Sequence, residues 1–322
     1  MKRNVLIAVA LAATMTAAAQ NIAVVSPSNE TDIYETLDEA ISRAEDGSTI
    51  YLPGGGYRIS EESIIDKPLT IMGVSHRGDT DNAEGATMIS GNLHFVKGSS
   101  RSAVLGVYLS GDVIIGEDAS MVNYVIIKKC NINSIQVKYS TCLGTEVNQS
   151  YIRNTSFWGN SDATITNNIC DKIFNLGSGT IKNNVVMDRD GRYYAFADGG
   201  YAFDHVDNAT ISNNVILTTR VHRGSNSQGY YNLVVGGSWG IYPYEIDANI
   251  EQLFVKDKGV SIASDFHFNS DYKDYETKVG IYGGSNFDPN ALAPIPRIVS
   301  KKVDEQSNAA GKLTINVTVK AQ

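Results

Sequence analysis

The sequence predicts an all-β chain folded as a single-stranded parallel β-helix, a solenoid in which each coil stacks on the preceding one. Three observations predict this fold. Short runs rich in Val, Ile and Thr are separated by Asn and Gly, as expected for brief strands joined by turns. The runs recur at irregular intervals of roughly twenty residues, which is typical of solenoids. Residues 100–235 contain no apolar pattern with a helical period.

The first 19 residues have the composition of a secretory signal peptide. Lys2 and Arg3 precede an apolar stretch over residues 5–13, and the run Ala17–Ala19 provides an A-x-A cleavage site. The apolar stretch is shorter than the about 20 residues that a membrane-spanning helix needs. We therefore predict no membrane span, and export to the periplasm, the cell surface or the extracellular space.

The charge and cysteine content limit the partners that we expect. The formal net charge is −8, and loss of Lys2 and Arg3 with the signal peptide would make it −10. An acidic surface argues against nucleic acid or an anionic membrane as partner. Cys130, Cys142 and Cys170 lack the C-x₂₋₄-C spacing of zinc sites. We predict that they are buried, reduced packing residues; the alternative is one disulfide with one Cys left over.

A short capping helix is predicted near the start of the mature chain. Leu37, Ala40, Ile41 and Ala44 fall on one face of an amphipathic helix. This face is expected to cover the open N-terminal end of the stack, because exposed strand edges pair with other chains and aggregate.

An Asn pair between apolar residues occurs three times in the chain. The three copies are ATITNNICD (163–171), GTIKNNVVM (179–187) and ATISNNVIL (209–217). We predict that one Asn of each pair stacks in register with the same position of the neighbouring coils, so that the amides hydrogen-bond along the solenoid at a tight turn. The predicted column consists of Ser110, Cys130, Ser150, Asn168, Asn184 and Asn214.

The longest interval between Asn pairs contains an aromatic insertion. Residues 188–207 read DRDGRYYAFADGGYAFDHVD, and inserted loops on solenoids build clefts that collect binding residues. Aromatic faces would stack on sugar rings, while Arg and the acids would provide directional hydrogen bonds. The predicted substrate-binding residues are Arg192, Tyr193, Tyr194, Tyr201 and Phe203. The alternative is that these aromatics only cover the base of the loop.

Two kinds of catalysis are alternatives to binding. A polysaccharide lyase needs a base for the proton next to the uronate carboxylate, and a cation that neutralises this carboxylate. Arg220 or His222 would then be the base, since they share one face of a strand. Asp188 and Asp190 would hold Ca²⁺, the one cofactor considered. A glycoside hydrolase would need two carboxylates flanking one bond, for which the candidates are Asp190, Asp198 and Asp204.

Both ends of the predicted solenoid resemble a known group of proteins. Residues 36–74 begin TLDEAISRAEDGSTIYLPGGGY, and residues 248–284 contain QLFVKD, DFHFNS and GIYGG. These segments resemble the capping helix, first strand and closing coil of the right-handed parallel β-helix proteins of the pectate-lyase-like superfamily. Tyr272–Thr277 replaces the usual Ser-Pro-Ala-Ile-Gly segment. The resemblance covers residues 33–288 and implies a right-handed solenoid, but the superfamily includes lyases, hydrolases, epimerases and adhesive scaffolds.

We thus predict a signal peptide over 1–19, a β-helix over 20–288, and a linker with a β-hairpin over 289–322. The hairpin either packs on the last coil or serves as a sorting tag. The favoured function is binding of a polysaccharide or surface glycan, or a surface scaffold, without catalysis. A lyase is the main alternative. Binding is favoured because the repeats contain few Lys and Arg, whereas a uronate track needs cations. The oligomeric state is left open by the sequence.

Overall fold

The computed structural model is an all-β parallel solenoid of about eight turns with about 5% helix, which confirms the predicted fold class. It describes residues 21–61, 63–77, 85–159, 161–187, 202–217, 224–235, 246–255, 264–284, 287, 297–303 and 315–320. The predicted signal peptide lies outside these ranges. Among the residues described, no helix has the length and apolar character needed to cross a membrane.

One sheet of 11 strands, which we call face 1, contains the first strand of each coil. Strands are numbered in chain order. Face 1 consists of β1 (Ile22–Val25), β2 (Thr31–Tyr34), β3 (Thr49–Leu52), β6 (Thr70–Gly73), β9 (Ala103–Leu105), β11 (Ile126–Lys128), β13 (Thr145–Asn148), β15 (Asp162–Thr166), β17 (Ser178–Lys182), β20 (Ala209–Ser212) and β22 (Gln228–Tyr230). From β3 onwards every pairing is parallel, whereas β1 pairs antiparallel with β2 and β3.

The second sheet has 13 strands and two faces. It consists of β4 (Gly55–Arg58), β5 (Ile64–Ile65), β7 (Thr87–Ser90), β8 (Leu93–Phe95), β10 (Tyr108–Ile115), β12 (Asn131–Val137), β14 (Tyr151–Ser156), β16 (Ile169–Phe174), β18 (Val185–Val186), β19 (Phe203–Asp204), β21 (Val215–Ile216), β23 (Leu233–Val235) and β24 (Ile246–Ala248). The long strand β10 changes partner along its length, from β7 to β8. Face 2 consists of β4, β7, β18, β21, β23, β24 and the first residues of the long strands β10, β12, β14 and β16. Face 3 consists of β5, β8, β19 and the last residues of the same four long strands.

The interior of the solenoid is filled by apolar columns. One inward residue of each face 1 strand from β3 to β20 stacks on the next, and all of them are fully buried: Ile50, Ile71, Val104, Ile127, Val147, Ile165, Ile181 and Ile211. Burying one such side chain stabilises a fold by about 1.5–3 kcal/mol. The column therefore provides a large share of the stability of the stack.

The N-terminal cap forms as predicted. Helix α1 (Leu37–Arg43) begins after Thr36, whose hydroxyl accepts a hydrogen bond of 3.2 Å from the backbone N–H of Glu39. Leu37, Ala40 and Ile41 are buried against the first coil. The remaining helical elements described are α2 (Ile250–Leu253) and a 3₁₀ turn (Lys273–Tyr275). Near the C-terminus, β25 (Arg297–Val303) and β26 (Ile315–Lys320) pair antiparallel, as the predicted hairpin requires.

The three cysteines are core residues. All three thiols are free and buried, which confirms the packing prediction and excludes the disulfide alternative. Burial raises the pKa of Cys130 to about 12 and raises that of Cys170 further, so both stay protonated at neutral pH. Reactive cysteines need an accessible thiolate, and these thiols do not provide one.

Candidate functional site

The first residue of each Asn pair forms the corner between faces 1 and 2. From the coil of β9 to that of β22 this corner has a left-handed backbone, and Asn tolerates it better than most residues other than Gly. The residues that occupy it, with φ between 51° and 64°, are Gly106, Lys129, Gln149, Asn167, Asn183, Asn213 and Tyr231. One half of the repeated motif is therefore explained by backbone geometry.

The second Asn of each pair points inward and forms the predicted ladder. The backbone N–H of Asn168 donates to Oδ1 of Asn184 at 2.9 Å, and that of Asn184 donates to Oδ1 of Asn214 at 2.9 Å. Each amide nitrogen also donates to a main-chain carbonyl, as Nδ2 of Asn184 does to Ile165 at 2.8 Å. All these side chains are fully buried. The ladder satisfies backbone groups that would otherwise be buried without partners.

The ladder differs from the prediction at both ends. Ser110 is exposed and lies outside the column, so that part of the prediction is wrong. The pairing of β10 with β12 places Val107 next to Cys130 in the column instead. In the preceding strand β9, the inward residue is Val104 and not Leu105. At the other end, Asn232 extends the ladder by accepting from the backbone N–H of Asn214 at 3.1 Å.

A C-terminal strap, residues 264–284, covers the outer side of face 2. Phe266 and Phe268 belong to the same buried cluster as the outward residues Val185 and Val215. The left-handed Asn residues bind the strap: Nδ2 of Asn183 donates to the carbonyl of Lys278 at 2.8 Å. Similarly, Asn167 donates to the carbonyls of Ile281 and Gly283. The part of face 2 beneath the strap is therefore buried and does not provide a ligand surface.

The strap is held together by Glu276, whose side chain is 13% exposed. Its carboxylate lies 2.8 Å from Nδ1 of His267, and it accepts hydrogen bonds from Nζ of Lys273 at 2.6 Å and from the backbone N–H of Phe268 at 3.2 Å. Burial alone would raise the pKa of Glu276. The hydrogen bonds and charges of Lys273 and His267 outweigh it and hold this pKa below its ordinary value.

We expect the strap to loosen in acid. Because the pKa of Glu276 is lowered by folding, its contribution is complete above the ordinary carboxyl pKa and is lost as pH falls through the lower native value. Pepsin cleavage within the strap, located by mass spectrometry, should therefore increase as pH falls in this range. Glu276→Gln should be cleaved rapidly at every acidic pH, without this dependence. Glu146→Gln, on the outer side of face 1, should behave like the wild type; an equal effect of the two variants would contradict the assignment.

Most of the predicted site residues lie outside the described part of the chain. These residues are Asp188, Asp190, Arg192, Tyr193, Tyr194, Asp198, Tyr201, Arg220 and His222. The strands that precede them are described: β18 pairs with β21, and the backbone N–H of Leu217 donates to the carbonyl of Val186 at 2.9 Å. Met187 and Leu217, the last described residues before segments 188–201 and 218–223, thus lie on neighbouring coils.

Phe203 lies in the solenoid core. It pairs with Ile173 of β16 and is 0% exposed, while the next residue, Asp204, points outward. The alternation of a strand directs Phe203 inward, so its ring does not provide a face for a sugar. Asp204 lies beside His205, with Oδ1 2.9 Å from Nδ1.

The outer side of face 3 is a polar surface that the sequence analysis did not single out. Residues directed away from the core stack in register from coil to coil, and two of them, Ile114 and Ser134, are buried. One column contains Ile114, Gln136, Ser156, Phe174 and Asp204, and a second contains Asp112, Ser134, Asn154 and Lys172. Trp158, two residues beyond Ser156, is 63% exposed at the margin of this face.

Hydrogen bonds hold part of this surface in place. Asp112 accepts from Nδ2 of Asn133 at 2.9 Å and from Nε2 of Gln136 at 2.6 Å. Nζ of Lys172 lies 5.8 Å from the ring centroid of Phe174, within cation–π range. These contacts order amide, carboxylate and aromatic groups on a rigid sheet, which is the arrangement that a preformed binding surface needs.

No metal centre is found among the residues that the structure describes: none of their His, Cys, Asp and Glu side chains forms a group of three or more able to hold an ion. The predicted Ca²⁺ ligands Asp188 and Asp190 lie outside these residues. Comparison of the chain with protein-family models, with curated proteins and with solved structures finds no match. The chain's own residues therefore provide the argument for function.

Trp158 is the most exposed aromatic residue of the described chain that sequence analysis passed over. It lies two residues after the end of β14 and is one of only two Trp in the sequence. In the sequence, the adjacent aromatic residues Phe157 and Trp158 were the available indication that one ring faces solvent, because neighbouring side chains of an extended chain point to opposite sides. The structure buries Phe157 fully.

Proposed function

We propose that the protein is a secreted glycan-binding protein with a right-handed solenoid of the pectate-lyase-like type, and that its ligand lies along the outer side of face 3. The observation that carries this proposal is the exposed ring of Trp158 beside in-register columns of amides and hydroxyls. Strand β19, which follows the predicted sugar-binding segment 188–201 in the chain, belongs to this same face.

The side chains of face 3 match the chemistry of a sugar chain. An aromatic ring packs against the apolar C–H face of a sugar, and Gln136, Asn154 and Ser156 offer both donors and acceptors to hydroxyl groups. Successive coils are about 4.8 Å apart, which is similar to the length of one sugar unit in an extended chain. Equivalent side chains of neighbouring coils would therefore meet successive units.

The charges on face 3 support a neutral or weakly charged glycan. Lys138 and Lys172 are offset by Asp112, Glu117 and Asp204, so the described surface has no excess of cations. A polyuronate would be attracted by a surface with net positive charge. The lyase alternative would depend on Arg220, His222, Asp188 and Asp190, and we retain it as an outcome of the experiment below.

Trp158→Ala is expected to weaken glycan binding at least about tenfold, because truncating an aromatic anchor removes most of its binding contribution. The fold should not change, since the ring is largely exposed. Affinity electrophoresis against neutral and uronate polysaccharides would identify a ligand, and calorimetry would then measure its affinity for both proteins.

The matched control is Tyr231→Ala, which removes another exposed ring, 54% exposed, from the corner between faces 1 and 2. It should bind like the wild type. Undiminished binding by Trp158→Ala would exclude face 3 as the site. Release of unsaturated uronate products, lost in Arg220→Ala or His222→Ala, would instead establish a lyase.

A further inference from the structure

A compact apolar patch is exposed at the corner where face 3 turns back to face 1. Met121 is 61% exposed and Tyr124 56%, and Leu143 lies on the next coil with 43% exposure. Patches of large apolar side chains on a soluble surface commonly mark protein–protein contacts. This patch lies beyond the columns of face 3 and adjoins the proposed glycan surface, since Trp158 precedes Asp162 of the same corner by four residues.

Four residues of this corner lie in one column, each one coil from the next. They are Arg101, Tyr124, Gly144 and Asp162. The column is held by main-chain hydrogen bonds: the N–H of Arg101 donates to the carbonyl of Asn123, and that of Tyr124 to the carbonyl of Leu143, each at 2.8 Å. The N–H of Gly144 donates to Oδ1 of Asp162 at 2.9 Å. The column thus has a cation at one end and an anion at the other.

Tyr124 is held in an unusual conformation at the centre of this column. Its φ is 60°, in the left-handed region that a bulky residue seldom adopts. Its ring leans over Gly144: a Cβ on that glycine would lie 2.5 Å from Cδ1 of the ring. The absence of a side chain at Gly144 therefore lets the ring lie over the next coil of the column. Strained residues of this kind concentrate at functional sites.

We propose that this corner binds a second copy of the chain about a two-fold axis perpendicular to the solenoid axis and passing beside the Tyr124 ring. A two-fold axis reverses the column, so that Arg101 of each copy lies opposite Asp162 of the other. The two Tyr124 rings then meet at the axis, with Met121 and Leu143 around them. Self-complementary patches of this kind form isologous dimers.

The charge pattern favours a second copy over another partner. A uniformly charged ligand would match only one end of the column, whereas the reversed column matches both ends at once. The protein as a whole is acidic, with a formal net charge of −8, so two copies repel each other unless the contact is locally balanced. One Arg and one Asp on each side provide this balance.

Sedimentation velocity of the full mature chain over a wide concentration range tests the proposal. The wild type should dimerise, and Arg101→Glu should raise the dissociation constant at least about tenfold, because like charges then face each other. Tyr124→Ser should do the same. The double variant Arg101→Glu with Asp162→Arg should recover dimerisation, since the pair is restored with its charges exchanged.

Control variants separate the contact from folding. Arg58→Glu and Tyr231→Ser change exposed residues elsewhere and should dimerise like the wild type. Asp162→Asn retains an oxygen for the N–H of Gly144 but loses the charge, so it should weaken the dimer without lowering the melting temperature. A wild type that is monomeric at every concentration would overturn the proposal. So would a dimer that withstands both Arg101→Glu and Tyr124→Ser.

Discussion

Replacing Asn184 by Leu is expected to lower the free energy of unfolding by about 4 kcal/mol. The side chain is fully buried in the middle of the ladder. Its Oδ1 accepts from the backbone N–H and from Nδ2 of Asn168, and its Nδ2 donates to the carbonyl of Ile165. Leu fills a similar volume but leaves at least two of these backbone groups buried without a partner. Each such group costs about 1–3 kcal/mol.

Urea unfolding followed by circular dichroism measures this loss. The matched variant is Asn148→Leu, which changes an Asn on the outer side of face 1 that makes one side-chain bond, to Oγ1 of Thr166 at 2.7 Å. Its effect should be about 1 kcal/mol or less, because water replaces the lost partner. Equal losses in the two variants would show that the inward column contributes no more than a surface hydrogen bond.

Gly179→Ala is expected to destabilise the fold by about 3 kcal/mol or more. The residue lies in β17 with φ +139°, which L-residues with a side chain rarely adopt. A Cβ there would lie 2.0 Å from the carbonyl oxygen of Ala163 on the neighbouring strand. Since the obstacle is backbone, the two strands have to separate, and the pairing between β15 and β17 is weakened.

Gly56→Ala provides the comparison, since it makes the same change in strand β4. An added Cβ at Gly56 has no atom within 4 Å, and the residue is exposed. We expect no loss, or a gain of about 0.5 kcal/mol from the less flexible unfolded chain. Thermal unfolding of both variants tests the pair. Similar melting temperatures would mean that strand β17 can move away from Ala163 at little cost.

The fold was predictable because each coil repeats a local pattern. An apolar residue followed by an Asn pair identifies an inward side chain, a left-handed corner and a ladder position. The register was harder to predict where this pattern weakens. Ser110 was misplaced because Val107 occupies the ladder position of its coil, and Asn232 was missed because Gly229 replaces the leading apolar residue.

Residues 264–284 form a strap on the outer side of face 2 and not part of the closing coil that the resemblance had implied, and the outer side of face 3 was not predicted. The consecutive apolar pairs Val185–Val186 and Val215–Ile216 are typical of strands buried on both sides, a signal that the sequence analysis did not use. They did not indicate which distant segment covers them. The columns of face 3 depend on the register between coils of unequal length, which the sequence does not display. Phe203, assigned to a binding loop, belongs to a strand of only two residues.

The corner between faces 1 and 2 aligns the coils independently of their lengths. The coils that carry the Asn ladder combine a left-handed residue with an inward acceptor there, and successive ladder residues from Asn168 to Asn232 are 16, 30 and 18 positions apart. The stack thus keeps its alignment whatever the length of chain in between, and the entropy cost of a longer connection grows slowly. We therefore expect the connection between β18 and β19 to tolerate changes in length, which would make this solenoid a frame for grafted recognition loops.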